Sequence, residues 1–135
     1  MNPERGLLDT SVAVDLESID QARLPAASAI SSLTLAELAA GPHAATEDAE
    51  RARRQQHLQF IEASIESLEF DSSCARAYGR IASALIARGR KVRGARSVDL
   101  MIAATALAHD LSLYTLNADD LRGLDGLVEI VDLAA

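Results

Sequence analysis

The sequence predicts an α/β protein, a three-layer α/β/α sandwich in which helices cover both faces of a central parallel sheet. Short apolar segments alternate with longer segments whose apolar residues recur at helical spacing, as in parallel sheets with crossover helices. The length of 135 residues predicts a single domain, residues 1–135. The composition, 49% hydrophobic and 24% charged, is typical of a globular chain.

The first half of the chain opens with a predicted strand and helix. Residues 6–9 are expected to form a short buried strand that ends in an acid, and residues 11–17 a short helix. Residues 26–31 are the second predicted strand. A helix over residues 34–40 is expected to end at the Gly-Pro pair 41–42, because proline cannot continue a helix.

The second half continues the alternation with three helices and three strands. The predicted helices cover residues 46–67, 72–89 and 98–109. The predicted strands cover residues 68–70, 113–115 and 127–131. Asp71 is expected to cap the second of these helices, which ends at Gly89. Because open parallel sheets bind ligands at the carboxyl ends of their strands, a functional site is expected there.

Charge, cysteine content and hydropathy exclude several classes of protein. The net charge of −7 and pI near 4.8 argue against a general nucleic-acid coat protein, but not against an enzyme that collects carboxylates. The single cysteine, Cys74, forms no intrachain disulfide, which fits a reducing compartment. No apolar run approaches the roughly 20 residues that span a bilayer, and the first residues do not predict a secretion signal. The sequence therefore predicts a cytoplasmic protein without a membrane segment.

Basic residues are concentrated in two stretches. Each stretch is either a solvated face or a phosphate-contacting surface, and the spacing does not decide between these two interpretations. The first stretch contains Arg51, Arg53 and Arg54, and the second contains Arg88, Arg90, Lys91, Arg93 and Arg96.

Acidic residues stand where the predicted strands end and helices begin. Asp9 follows the first strand and is either a metal ligand or the cap of the helix that begins near Ser11. Glu37 lies in an otherwise apolar helix. An ionised carboxylate there needs a partner, which is either a metal or the capping box Thr34-x-x-Glu37.

Two further acidic positions complete the set. Asp99 opens the most apolar helix and is either a ligand or a first-turn acid favoured by the helix dipole. Asp119 and Asp120 follow a strand, where ordinary turn chemistry is the alternative to a site. Some of these acids could converge at one carboxyl edge of the sheet, and clustered carboxylates prefer Mg²⁺, with Mn²⁺ accepting the same ligands.

Other common sites are not indicated. The three histidines have no ligand spacing, so zinc is not expected. Phosphate-binding glycine loops and the Gly-x-Ser-x-Gly elbow are absent. Two Phe and two Tyr are too few for a base-stacking platform. Cys74 has no activating neighbour and is expected to be a small core or surface residue.

Four motifs together resemble the VapC-type toxins of the PIN-domain superfamily over essentially the whole chain. They are Leu-Leu-Asp-Thr-Ser at 7–11, Thr-Leu-Ala-Glu-Leu-Ala-Ala-Gly at 34–41, Asp-Leu-Met-Ile-Ala-Ala at 99–104 with Arg96 before it, and Thr-x-Asn-x-x-Asp at 115–120. Their order and spacing make the resemblance specific. It implies a PIN-like α/β/α fold with an acidic pocket that holds Mg²⁺ or Mn²⁺.

The resemblance also implies roles for individual residues. Asp9 and Asp99 match the main metal ligands, Glu37 the helix glutamate, and Asp120 the fourth acid, with Asp119 as a competitor. Substrate contacts are implied for Thr10, Arg96, Thr115 and Asn117. The chain departs from many relatives at Leu116, where an arginine is common. That departure removes a positive charge near the pocket.

The implied activity is metal-dependent hydrolysis of RNA by the toxin of a type II toxin–antitoxin pair. Such toxins usually form homodimers, and a VapB-type antitoxin neutralises them by filling the acidic pocket, often with a basic side chain. The alternative is a PIN-like module that binds RNA or a protein without cleavage. A receiver domain fits poorly because it needs a lysine after the final strand, and the only lysine is Lys91. A haloacid-dehalogenase-like phosphatase also fits poorly, because residue 11 is Ser rather than an acid.

Overall fold

A five-stranded parallel sheet in the order β3-β2-β1-β4-β5 organises the computed structural model, which describes residues 5–90, 96–124 and 126–134. The strands are β1 (Arg5–Leu8), β2 (Ala27–Ser31), β3 (Glu66–Leu68), β4 (Ser112–Thr115) and β5 (Ile130–Asp132). The helices are α1 (Thr10–Val14), α2 (Ser32–Ala44), α3 (Asp48–Ser64), α4 (Ser72–Ala87) and α5 (Arg96–Ala108). Short 3₁₀ turns cover Leu16–Ser18, Gln21–Arg23 and Ala118–Leu121. Within the described ranges, no helix is both long enough and apolar enough to cross a bilayer.

Alternate residues of each strand bury side chains on opposite faces of the sheet. Leu7 and Ala29 belong to a core with residues of α4 and α5. Leu8 and Ile30 belong to a second core with residues of α1, α2 and α3. The two-residue period of a strand produces this division, since both faces must be covered in an all-parallel sheet. The predicted three-layer α/β/α architecture is confirmed.

The strand order reverses beside β1. The chain moves from β1 to β2 and β3 on one side, and then crosses back to β4 and β5 on the other. Leu8 of β1 pairs with both Ile30 of β2 and Tyr114 of β4, so β1 is central. The carboxyl end of β1 is therefore the topological switch point, where a crevice opens between diverging connections.

Helix α2 passes through the Gly-Pro pair at which the sequence analysis ended it. It begins at Ser32 and runs to Ala44, so the predicted stop at 41–42 is wrong. Two arginines of α3 stabilise this last turn. Arg54 donates to the carbonyl of Gly41 at 2.9 Å, and Arg51 donates to the carbonyls of Pro42 and Ala45 at 3.3 and 2.9 Å. These tertiary bonds satisfy helix-end carbonyls that local sequence alone leaves open.

Helix α3 ends earlier than its apolar spacing predicted, and the next strand shifts with it. The prediction continued the helix to residue 67 and began the strand at 68, whereas β3 covers Glu66–Leu68. Strand β3 pairs with β2, with Glu66 opposite Ala29 and Leu68 opposite Ser31. This pairing supplies the hydrogen-bond partners of its backbone. The last strand is likewise Ile130–Asp132 rather than 127–131. Short strands acquire their boundaries from pairing, which lies outside the local pattern.

Asp71 caps α4 as predicted. Its side chain accepts a hydrogen bond from the backbone N–H of Cys74 at 3.1 Å. That bond from the Cys74 backbone favours the ionised carboxylate and holds the pKa of Asp71 below its ordinary value. Cys74 itself is buried, and burial raises the pKa of its thiol, which fits a core residue.

Asp71→Asn is expected to destabilise the protein at neutral pH but not in acid. The folded-state pKa of Asp71 is lowered, so its contribution to stability is present above the unfolded pKa and disappears as pH falls through the folded pKa. Urea midpoints of the two proteins at pH 7 and at a pH well below the ordinary aspartate pKa measure this effect. A stability difference of equal size at both pH values contradicts the assignment.

Candidate active site

Asp9 lies directly after β1, at the switch point of the sheet. Its backbone N–H donates to the carbonyl of Tyr114 at 3.0 Å, which fixes it between β1 and β4. Its Oδ1 accepts from the Ser11 hydroxyl at 2.5 Å and from the Val12 N–H at 3.2 Å, so Asp9 does cap α1. No hydrogen bond to Oδ2 comes from the residues that the structure describes. One carboxylate oxygen is thus occupied by the cap, and the other remains for a ligand.

Ser11 joins the ends of the two central strands. Its hydroxyl donates to Asp9 and accepts from the N–H of Leu116, just beyond β4, at 3.0 Å. Ser11 was not among the predicted site residues. The available signal was a hydroxyl two residues after the candidate ligand, a spacing that lets a side chain reach back to Asp9. Ser11 therefore orients the Asp9 carboxylate.

Thr10 brings Glu37 of α2 to the end of β1. Its hydroxyl donates to Glu37 Oε1 at 2.6 Å and lies 3.0 Å from the Thr34 hydroxyl. A hydroxyl has one proton, and an ionised carboxylate only accepts, so Thr34 donates to Thr10. Thr34 is fully buried, whereas Glu37 is exposed. A chain of hydroxyls thus holds Glu37 beside the residue that follows Asp9.

The capping-box interpretation of Glu37 is wrong. Ser31 caps α2, and its hydroxyl accepts from the Leu33 N–H at 3.1 Å, so Thr34 lies inside the helix rather than before it. Glu37 therefore lies in the second turn of α2, where its side chain cannot cap the N-terminus of the helix. Its bond to Thr10 belongs to the candidate site.

Asp99 lies in the first turn of α5, on a face of that helix that is buried in the core further along. Ile102, Ala103 and Ala106 follow it by three, four and seven positions, share its face and are fully buried. Further along α5, Thr105 donates to Ser31 at the end of β2, at 3.2 Å. Because α5 then runs on toward the start of β4, its first turn lies beyond the carboxyl ends of the strands.

Asp119 and Asp120 lie in the Ala118–Leu121 turn after β4, and both are exposed. Together with Asn117 and Asp132 they line a cavity of about 230 Å³. Asp132, at the end of β5 and in register with Thr115, is an acid that the sequence analysis did not single out. Its position at the carboxyl end of a strand was the available signal.

Thr115 and Asn117 form the turn that leads to these acids. The buried Thr115 hydroxyl accepts from the N–H of Asn117 at 2.9 Å, and the Asn117 carbonyl accepts from the N–H of Asp120 at 3.0 Å. Thr115 therefore shapes the backbone of the turn. Asn117 presents an exposed side chain at the edge of the candidate site.

The carboxylates fit a hydrated magnesium ion better than a dehydrated one. Across residues 5–90, 96–124 and 126–134, no three His, Cys, Asp or Glu side chains lie close enough to hold one metal ion jointly. Mg²⁺ keeps several waters and is usually bound through one or two carboxylates, so a closed cage of side chains is not required. Asp9, with its unbonded Oδ2, and Asp99, in the first turn of α5, are carboxylates of the chemistry that such an ion prefers.

The basic stretches make structural contacts where they are described. Arg88 and Arg90 donate to backbone carbonyls of Gly123 and Arg122. Arg53 and Arg54 pair with Glu50 on α3. Lys91 and Arg93 lie outside the described residues, as does the side chain of Arg96, the first residue of α5.

A larger groove of about 920 Å³ lies against α1, α2 and α3. Val14 and Phe60 contribute apolar surface to it and are 55% and 50% exposed. Glu37 also lines the groove, so this surface adjoins the candidate site through a shared residue.

Comparison with known proteins identifies the family. The family model for the PIN domain matches residues 6–127. The chain is 38% identical over 131 residues to Ribonuclease VapC5 of Mycobacterium tuberculosis (strain ATCC 25618 / H37Rv), covering 95% of this chain and 93% of the relative.

Solved structures agree with the sequence relationship. The crystal structure of VapBC-5, a toxin–antitoxin system of Mycobacterium tuberculosis, superimposes with a TM-score of 0.84 at 39% identity, covering 96% of this chain and 99% of that chain. DNA-bound VapBC from Salmonella typhimurium shares the fold, with a TM-score of 0.78 at 24% identity, covering 96% and 98%. The chain therefore belongs to the PIN-domain family, and within it to the VapC-type proteins.

Proposed function

We propose that this chain is the toxin of a type II toxin–antitoxin system, a single-domain endoribonuclease that hydrolyses RNA phosphodiester bonds with Mg²⁺, for which Mn²⁺ substitutes. The observation that carries the proposal is the link from Asp9 through Thr10 to Glu37 at the switch point of the sheet. We assign Asp99, in the first turn of α5, and Asp120, in the turn after β4, to the same acidic site. The 38% identity to a ribonuclease supports the reaction class.

Each acid has a distinct place in the proposed reaction. Asp9 and Asp99 would hold the metal, which supplies charge for the scissile phosphate and lowers the pKa of a bound water. Glu37, whose Oε1 is held by Thr10, keeps Oε2 to accept a proton from the attacking water. The water oxygen bonds to phosphorus as the phosphorus–O3′ bond breaks, and the departing O3′ takes a proton from solvent, which leaves a 5′-phosphate and a 3′-hydroxyl. Asp120, in the turn after β4, would be a further ligand of the metal.

We infer that a VapB-type antitoxin occupies the α1–α2–α3 groove and reaches the acidic edge. The exposed Val14 and Phe60 offer apolar surface to a partner segment. Glu37 connects the groove to the site, and an arginine or lysine of the partner could pair with its carboxylate. We further propose that the toxin forms a homodimer, as its family usually does.

Metal removal is the direct test of this function. Purified antitoxin-free protein is incubated with total bacterial RNA in Mg²⁺, in Mn²⁺ and in EDTA, and new 5′ ends are mapped by sequencing. We expect discrete cuts with 5′-phosphate ends in both metals and none in EDTA, because the metal supplies the charge that holds the scissile phosphate and activates the attacking water.

The alternative, a PIN-like module that binds without cutting, gives a different result in the same experiment. It leaves every RNA class intact in both metals while the protein remains folded and still binds RNA. Cleavage that persists in EDTA contradicts the metal-dependent mechanism.

A further inference from the structure

We propose that Arg88 and Arg90 are positioning residues for Asp120. They tie the end of α4 to the backbone at Arg122 and Gly123, and thereby hold the turn that carries Asp120 at the edge of the site. This inference rests on the proposed function for its catalytic consequence. It replaces, for these two residues, the expectation of direct contact with the RNA backbone.

Two guanidinium groups reach two consecutive carbonyls. Arg88 Nη1 donates to the carbonyl oxygen of Gly123, 35 residues away, and Arg90 Nη1 donates to that of Arg122, 32 residues away. Hydrogen bonds from a charged donor are about twice as strong as neutral ones. We call this pair of contacts the arginine tie.

The end of α4 is shaped to direct both side chains to one place. Gly89 has φ of +73°, and its N–H donates to the Ile86 carbonyl at 2.9 Å, while the Arg90 N–H donates to the Leu85 carbonyl at 2.9 Å. This Schellman arrangement reverses the chain at Gly89. Arg88 and Arg90 therefore flank the same short piece of backbone.

The backbone at Gly123, on the other side of this contact, also permits close approach. Gly123 has φ of +97°, and a Cβ there would lie 2.8 Å from Cδ2 of the buried Leu85 and 3.4 and 3.5 Å from Nη1 of Arg90 and Arg88. Only glycine combines that conformation with that proximity. The packing of Gly123 against α4 supports the arginine tie independently of the hydrogen bonds.

Asp120 lies on the turn that these contacts fix. Leu121, the next residue, is 4% exposed, and Leu124 is fully buried in the core. Between them, Arg122 donates through Nε to the Asp119 carbonyl at 3.2 Å. The arginine tie acts on the exposed backbone between two buried leucines, and so restricts the orientation of the turn from which Asp120 projects.

The double variant Arg88→Gln/Arg90→Gln tests the inference, with Arg80→Gln, an exposed arginine of α4, as the matched control. Amide hydrogen exchange over residues 116–124 is expected to accelerate in the double variant and not in the control. The affinity for Mn²⁺ and the kcat for RNA cleavage are expected to fall about tenfold, as for groups that orient metal ligands, with KM for RNA unchanged. In an Asp120→Asn background the same substitutions should cause no further loss of kcat, because the tie acts through Asp120.

Three results overturn the inference. Unchanged exchange over residues 116–124 shows that the tie does not hold the turn. A raised KM with a weaker salt dependence and unchanged kcat assigns the arginines to RNA phosphates instead. Full additivity with Asp120→Asn separates them from Asp120. If the wild type cleaves no RNA, the proposed function fails by itself, while exchange and Mn²⁺ affinity still decide whether the tie positions a metal-binding turn.

Discussion

Asp99→Asn is expected to lower metal-dependent RNA cleavage by roughly 100-fold or more, with little change in folding. The substitution keeps the size of the side chain and removes the charge that we propose pairs with the metal, a larger loss than that of a group which only orients a ligand. Asp9→Asn should act similarly, because asparagine still caps α1 while its charge is lost. Initial rates at saturating Mg²⁺, together with Mn²⁺ affinity, measure both effects.

Asp48→Asn is the matched control for Asp99→Asn. Each aspartate stands in the first turn of its helix, Asp48 in α3 and Asp99 in α5. If Asp99 served only the helix dipole, the two variants would behave alike, each with a small loss of stability and full activity. Equal activity in both variants would therefore remove Asp99 from the site. Asp119→Asn beside Asp120→Asn decides which acid of the turn takes part.

Ile81→Ala is expected to lower the free energy of unfolding by about 2–5 kcal/mol. Ile81 projects from α4 into the core shared with α5 and the sheet, and its side chain is 0% exposed. The substitution removes apolar contacts and leaves a cavity that the surrounding strands and helices only partly fill. Urea denaturation, with the m-value compared between proteins, gives the change in stability.

The same helix provides the control for this prediction. Ile86 also lies on α4 but is 61% exposed, so Ile86→Ala should change stability by no more than about 0.5 kcal/mol. Because both variants make the same chemical change in one helix, helix propensity cancels in the comparison. Equal effects of the two substitutions would contradict the assignment of this face of α4 to the core.

The fold class was predictable because it depends on periodicity that the chain carries locally. Strands β1 and β4 have apolar residues at adjacent positions, Leu7 and Leu8 in β1 and Leu113 and Tyr114 in β4, since a parallel sheet is buried on both faces. Helix signals with a local mechanism were also predictable. Asp71 caps α4 through the Cys74 N–H, and Gly89 ends that helix with a positive φ. Where capping or periodicity determines the type and the ends of a helix or strand, the sequence of that element is enough to predict it.

Boundaries that depend on distant partners were not predictable. Helix α2 continues through Pro42 because Arg51 and Arg54 of another helix stabilise its last turn. Strand β3 replaces the expected end of a helix because β2 offers backbone partners to residues 66–68. In each case a tertiary contact outweighs a local preference, and the local sequence pattern contains no information about that contact.

The candidate site also combines features that the sequence determined with features that only the tertiary structure decided. The sequence by itself determined the acids, their order and their positions after strands or in helices, and with them the family. Only the tertiary structure decided that Ser31 caps α2, which frees Thr34 and Thr10 to hold Glu37 beside Asp9. It also decided that Arg88 and Arg90 contact the turn of Asp120 rather than stand on a solvated face. Hydrogen bonds between groups distant in sequence depend on how the helices pack on the sheet. For that reason the residue types alone decided neither the contacts of Glu37 nor those of Arg88 and Arg90.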